Sequence, residues 1–178
     1  MSKVALTYRD YAALPDDGRR YQILDGELFV TPVPGTRHQI TSMRLSTQLH
    51  AHVTAHGLGL VLAAPADVIL ADTSIVQPDI LFVATDRQAV VSARGIEGAP
   101  TLGVEILSPT TADVDRRRKR DLYARYGVPY YWIVDADARV IEMYRLTAGA
   151  YELLARPTGA MMIAADPFPG LALTDIWP

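Results

Sequence analysis

The sequence predicts an α/β (α+β) fold in which a central mixed β-sheet is flanked by helices and carries an antiparallel meander along one edge. Three observations point there. Short strand-like runs recur between turn residues, two longer stretches carry helix start and stop signals, and the last strand-like runs follow one another without an intervening helix. A length of 178 residues suits one domain, spanning positions 1–178, with room for a substantial apolar core.

The elements follow in order along the chain. Thr7 ahead of Tyr8-Arg9-Asp10-Tyr11, with Pro15 beyond, predicts a short helix begun by a hydroxyl cap and stopped by proline. Tyr21-Gln22-Ile23-Leu24 and Glu27-Leu28-Phe29-Val30 flank Asp25-Gly26, a two-residue link that favours a hairpin because glycine accepts positive φ. Residues 36–56 carry apolar Ile40, Met43, Leu49 and Val53 and end at Gly57, which predicts the first long helix. The runs beginning at Leu58, Asp67, Asp79 and Thr101 read as strands of the central sheet. Thr110 with Asp113, acidic residues in the first turn, and Gly127 before Pro129 bound a second long helix over about 112–126. Runs starting at Tyr130, Arg139 and Tyr151 form the closing meander.

Composition narrows the function. With 49% hydrophobic and 21% charged residues the chain is an ordinary globular protein. The absence of cysteine excludes disulfides, thiolate zinc sites and cysteine nucleophiles, and a cytoplasmic location is the default expectation. No apolar run approaches the roughly 18 residues of a membrane span, so no membrane association is expected. Seventeen basic against 20 acidic residues give a net charge of -3, which argues against broad adhesion to nucleic acid through the overall field. The one dense basic run, Arg116 to Arg120, sits on a predicted helix, where consecutive residues radiate around the axis and cannot all face one partner.

Two acids carry the chemistry. Asp79 shares a strand face with Leu81 and Val83, and Glu105 with Gly103 and Leu107, so each interrupts an apolar face. An ionised carboxylate there costs several kcal/mol unless it is paired, hydrogen-bonded or metal-bound. On neighbouring strands their Cβ atoms would lie about 5 Å apart. At about 4 Å and an effective dielectric near 20 the carboxylates would repel by roughly 4 kcal/mol, which a divalent cation turns into attraction. Magnesium, which keeps several waters and needs only one or two protein carboxylates, suits so sparse a pair. On the same reasoning Asp79→Asn should maintain or raise the stability of the metal-free protein. Lys119 is the candidate to orient an attacking water or stabilise developing charge.

The series Gln77-Pro78-Asp79, Val104-Glu105-Ile106-Leu107-Ser108-Pro109, Asp115, Lys119, Tyr123, Gly127-Val128-Pro129 and Trp132-Ile133-Val134-Asp135 resembles the Uma-two family of endonucleases, within the PD-(D/E)XK nuclease superfamily. The hairpin from Tyr21 to Leu28, the proline-rich stretch before His38 and the Pro-Gly-Leu near the C-terminus extend the likeness over nearly the whole chain. The resemblance implies a restriction-endonuclease-like core, dependence on magnesium or manganese, hydrolysis of nucleic acid with DNA the first choice, and a homodimer. It matches the metal-holding catalytic pair to Asp79 and Glu105 and adds Glu27 as a further acid. The superfamily lysine two residues after the second acid is Leu107 here; related sequences carry it in the following helix, a position Lys119 matches. Tyr130 stands where similar sequences are often acidic.

Simpler uses of the same residues stay open at this level. Asp79 could cap a turn after Pro78, Glu105 could be a satisfied core acid, and Lys119 could pair with Asp115 four residues earlier on a helix. His38 could approach phosphate or water but reads more readily as structural or solvated, Ser108 as a turn residue, and His52 with His56 as solvent-facing. A fold kept as a nucleic-acid-binding or interaction module, without catalysis, is the alternative function.

Overall fold

The computed structural model describes residues 4–178. A turn of helix, α1 (Tyr8–Ala12), leads into the hairpin β1 (Arg20–Leu24) and β2 (Glu27–Thr31), followed by the long helix α2 (Thr36–Ala55). Next come β3 (Gly59–Ala63), β4 (Val68–Ala71), β5 (Ser74–Val76) and β6 (Ile80–Ala84), then, past a 3-10 stretch over Thr85–Val90, β7 (Val91–Ser92), β8 (Gly95–Glu97) and β9 (Leu102–Ile106). A π-helical segment (Val114–Lys119) runs into α3 (Arg120–Arg125). The remaining strands are β10 (Tyr130–Asp135), β11 (Val140–Thr147), β12 (Ala150–Ala155), β13 (Met161–Met162) and β14 (Ala172–Leu173).

The central sheet has the order β12-β11-β10-β9-β6-β3. It is mixed, because β9 and β10 run parallel while every other pair is antiparallel. The β10-β11-β12 meander forms one edge, as the sequence predicts. Alternation along the strands divides the core between the two faces. Phe82, Val104 and Trp132 point to the side where Leu45, Leu49 and Val53 of α2 pack, joined by Phe168 and Trp177. Leu81, Tyr131 and Ile133 point to the side covered by Leu122 and Tyr123 of α3 and by a second sheet.

That second sheet, ordered β2-β1-β5-β4-β8-β7, corrects the expectation that the run at Asp67 belongs to the central sheet. The run forms β4, which folds back on β5 in register Val68↔Val76, and Ile75 of β5 then pairs with Ile23 of β1. A strand's pattern fixes which face it buries, not which strand it joins. The helix stripe also shifts. Thr41, Leu45, Leu49 and Val53, four apart, are buried, while Met43 is 68% exposed.

The predicted second long helix is present but not uniformly α. Its π segment holds both Asp115 and Lys119 in the interior. Single-turn π insertions recur at functional sites because they re-aim a side chain within a continuous helix.

Candidate metal centre and active site

The candidate site lies where the chain crosses from the second sheet to the central one. β5 ends at Val76, the link Gln77-Pro78-Asp79 follows, and β6 starts at Ile80. β6 pairs with β9 as Ile80↔Val104 and Leu81↔Gly103, and one further step in that antiparallel register sets Asp79 opposite Glu105. Facing positions share one side of a sheet.

Asp79 is buried, and its Oδ2 accepts the backbone N–H of Ile106 at 2.9 Å. His38, near the start of α2, places Nε2 3.0 Å from the same oxygen. A carboxylate only accepts, so His38 donates through Nε2, and its buried Nδ1 has no hydrogen-bond partner among the described residues. Burial pushes the Asp79 carboxyl up, but the His38 contact, the Ile106 N–H and the Lys119 charge outweigh it and hold the group below the ordinary carboxylate value. The charge on Asp79 is therefore stabilised. These contacts argue against the expectation that Asp79→Asn would spare or improve metal-free stability.

Glu105 is 2% exposed, on β9. Lys119 Nζ donates to its Oε2 at 2.8 Å, and the Tyr123 hydroxyl donates to its Oε1 at 2.9 Å. Gly103 lies beside that tyrosine, where a Cβ would make ordinary contact with the Tyr123 ring at 3.6 Å. Lys119 Nζ also lies 3.2 Å from Asp115 Oδ1, so one ammonium bridges two buried carboxylates. Burial raises the Glu105 carboxyl to about 8; Lys119 opposes the rise, and Asp115 and Asp79 add to it. Burial alone would lower Lys119, but Glu105 and Asp115 overcome it and hold the ammonium above the ordinary lysine value.

Asp79, Glu105, Asp115, Lys119, His38 and Arg20 line one cavity of about 370 Å³. Its donor set fits a hard divalent cation. Two carboxylates sit at facing positions of neighbouring strands, and Glu105 is raised by burial first, with Asp115 and Asp79 adding to it against Lys119. The oxygen donors suit magnesium or manganese and not zinc. Among the described residues no three or more His, Cys, Asp or Glu side chains form a ready-made metal cluster. Magnesium does not require one, since it commonly takes one or two carboxylates and fills its octahedron with water and substrate oxygen.

A family model described as "Uma2: Putative restriction endonuclease" matches residues 8–175. The chain belongs to the Uma2 family. The fold of this Uma2 protein matches that of a solved structure described as "a putative nuclease belonging to DUF820 from Anabaena variabilis ATCC 29413", with a TM-score of 0.76, 17% identity and 97% of each chain covered. At that identity the likeness establishes the fold. No curated protein matches the Uma2 chain.

Of the four residues singled out from the Uma2 sequence, the fold brings Asp79, Glu105 and Lys119 to one cavity. Glu27, on β2, is not among the residues lining that cavity and has Oε2 2.8 Å from Arg118 Nη2. The basic run is largely consumed within the Uma2 domain: Arg116 pairs with Glu142, Arg118 with Glu27, Lys119 with Glu105, and Arg120 donates to the Tyr151 carbonyl. His38, expected to be structural or solvated, lies in the cavity wall bonded to Asp79, and nothing local in the sequence marks Arg20.

Proposed function

We propose that this Uma2 chain is a single-domain, divalent-metal-dependent endonuclease that hydrolyses phosphodiester bonds of nucleic acid, DNA foremost. The observation that carries the reading is the antiparallel β6–β9 register, which sets Asp79 and Glu105 on one face with Lys119 2.8 Å from Glu105. Asp79 and Glu105 would hold magnesium or manganese. The cation would supply Lewis-acid polarisation of a phosphoryl oxygen and a more acidic water.

The chain's own residues divide the remaining work. His38 and the Ile106 N–H fix the Asp79 carboxylate through Oδ2, leaving Oδ1 turned to other partners. Tyr123 and Lys119 fix both oxygens of Glu105. Lys119, charged at any working pH, adds positive potential next to the phosphate position and orients water through its third N–H. Glu27 enters this reading as the anchor that holds Arg118 between the hairpin and the helix. Family resemblance adds a homodimer, to be checked by sedimentation, and the expected cytoplasmic location is to be checked by fractionation.

Cleavage of single- and double-stranded DNA and RNA with magnesium or manganese tests the proposal, comparing wild type with Asp79→Ala and Glu105→Ala. The reading expects activity in wild type and a loss of at least about a hundredfold in each variant. Equal activity in all three would discard the site, and a wild type that binds nucleic acid without cutting it would favour the non-catalytic module.

A further inference from the structure

Arg20 opens β1, and its side chain is 21% exposed in the wall of the same cavity. Its guanidinium is clamped along one edge. Nε donates to Gln77 Oε1 at 3.2 Å, and Nη2 donates to the Gln77 carbonyl at 3.0 Å. Gln77 is fixed in turn: its N–H donates to Gln22 Oε1 at 3.0 Å, and its Nε2 donates to Asp67 Oδ1 at 2.8 Å and to the Tyr11 hydroxyl at 3.1 Å. Gln22 Nε2 continues the chain to Thr31 Oγ1 at 2.7 Å. A planar fork held this way cannot swing to seek a partner for Nη1.

Nη1 is left with a poor one. Among the described residues its only hydrogen-bond acceptor is Asp79 Oδ1, at 3.5 Å, the outer limit of a useful bond. An arginine built to neutralise Asp79 would close to about 2.8 Å and use two nitrogens. Asp79 instead takes its short bonds from His38 and Ile106. Lys119, the other buried cation of the cavity, already bridges Glu105 and Asp115. Arg20 is thus a rigidly held cation with unspent donors beside the proposed cation position.

We propose that Arg20 is an anion-binding residue whose Nη1 binds a non-bridging oxygen of the substrate phosphodiester. This deepens the nuclease reading and rests on it for the identity of the anion. The planar fork matches phosphate geometry, and donors fixed in advance need no reorganisation as charge builds on the phosphoryl oxygens. The network from Tyr11 through Gln77 serves to aim the guanidinium.

The test is fluorescence anisotropy of a labelled single-stranded DNA oligonucleotide, with calcium in place of magnesium, on wild type, Arg20→Gln and Arg20→Lys. Manganese affinity, read by electron paramagnetic resonance, and the thermal midpoint are followed in parallel. Arg20→Gln should weaken oligonucleotide binding about ten- to a hundredfold. It should also flatten the dependence of log affinity on log salt by about 0.7, the contribution of one phosphate contact. Arg20→Lys, which keeps the charge and loses the fork, should fall between. Manganese affinity should stay within about twofold, given that both carboxylates persist. Wild-type affinity and salt slope in Arg20→Gln would overturn the proposal, and so would a parallel loss of manganese affinity, which would mean that Arg20 acts through Asp79. Should Arg20→Gln fail to fold, wild-type affinity and slope in Arg20→Lys would overturn it equally.

The two readings separate. Arg20-dependent binding without cleavage under any metal leaves this assignment standing and removes the nuclease, whereas cleavage that needs Asp79 and Glu105 but not Arg20 does the reverse. If the oligonucleotide does not bind wild type, inorganic phosphate is titrated by 31P NMR. Line broadening that is lost in Arg20→Gln sustains the anion site, and its absence in wild type removes it.

Discussion

Replacing Glu105 with Gln should remove a pH dependence that the metal-free protein carries. Burial pushes the Glu105 carboxyl from 4.5 up to about 8, with Lys119 opposing and Asp115 and Asp79 reinforcing. The folded protein therefore keeps a proton that the unfolded chain has already released. The stability this contributes is complete below 4.5 and is lost as pH rises through about 8. Inside that window the folding constant should fall about tenfold per pH unit. Asp79 acts with the opposite sign. Its carboxyl lies below its ordinary 3.8, so its contribution is present above that value and lost only as pH falls. Gln imitates the protonated acid and cannot release a proton, so the difference between wild-type and variant urea unfolding in EDTA isolates Glu105. The two should be close near pH 4.5, with the variant gaining steadily as pH approaches 8. A divalent cation should displace the same proton, so wild-type magnesium affinity should climb about tenfold per pH unit and level off above 8. A wild-type-minus-variant difference that stays flat from 4.5 to 8 would refute the burial argument.

Asp79→Asn should cost about 1–3 kcal/mol in metal-free urea unfolding, because a charged acceptor serving Ile106 N–H and His38 is replaced by a neutral amide. Unchanged stability would mean that carboxylate repulsion cancels those bonds. Lys119→Met removes the ammonium shared by Glu105 and Asp115 and should cost about 3–5 kcal/mol by the same assay above about pH 8, where Glu105 is ionised; a loss under about 1 kcal/mol would show the pair to be replaceable. Gly59→Ala should destabilise the protein by at least about 2 kcal/mol in thermal unfolding, because its φ is +146° and a Cβ would lie 2.1 Å from the Val83 carbonyl oxygen. Gly103→Ala should cost less than about 1 kcal/mol, since its Cβ would meet the Tyr123 ring at an ordinary 3.6 Å; a larger loss would mean that the Tyr123–Glu105 bond tolerates no shift.

Legibility followed the range of each interaction. The Asp25-Gly26 hairpin is written in two adjacent residues, and both adopt the positive φ it requires, 51° and 78°. Gly57 and Gly127 likewise end their helices with φ of 62° and 74°. β4's partners were not legible, because joining β5 and lying beside β8 depends on registers that no local pattern encodes. Nor did Arg116-Arg117-Arg118-Lys119-Arg120 announce a π segment. The driving interaction there is Lys119 reaching inward to Glu105 while Arg116 and Arg118 reach outward to Glu142 and Glu27, three contacts across separations of 14, 26 and 91 residues.

The same distinction explains why Asp79 and Glu105 could be read and the groups around Asp79 could not. A carboxylate in an apolar strand betrays itself locally, because the cost of burying it is visible in its own neighbours: Leu81 and Val83 for Asp79, Gly103 and Leu107 for Glu105. The groups around Asp79 come from elsewhere: His38, across 41 residues, bonds it, Arg20, across 59, only approaches it at 3.5 Å, and neither is unusual in its own segment. The imbalance is nevertheless informative. Asp79, Glu105 and Asp115 all lie within the cavity wall, and Lys119 can contact only the last two at hydrogen-bonding distance. Asp79 must then be held by other donors, and the fold supplies them as His38 of α2 and the Ile106 N–H of β9. A helix that first looks like packing around the central sheet thereby becomes an element that orients one half of the proposed metal centre, with the β1 guanidinium held beside it.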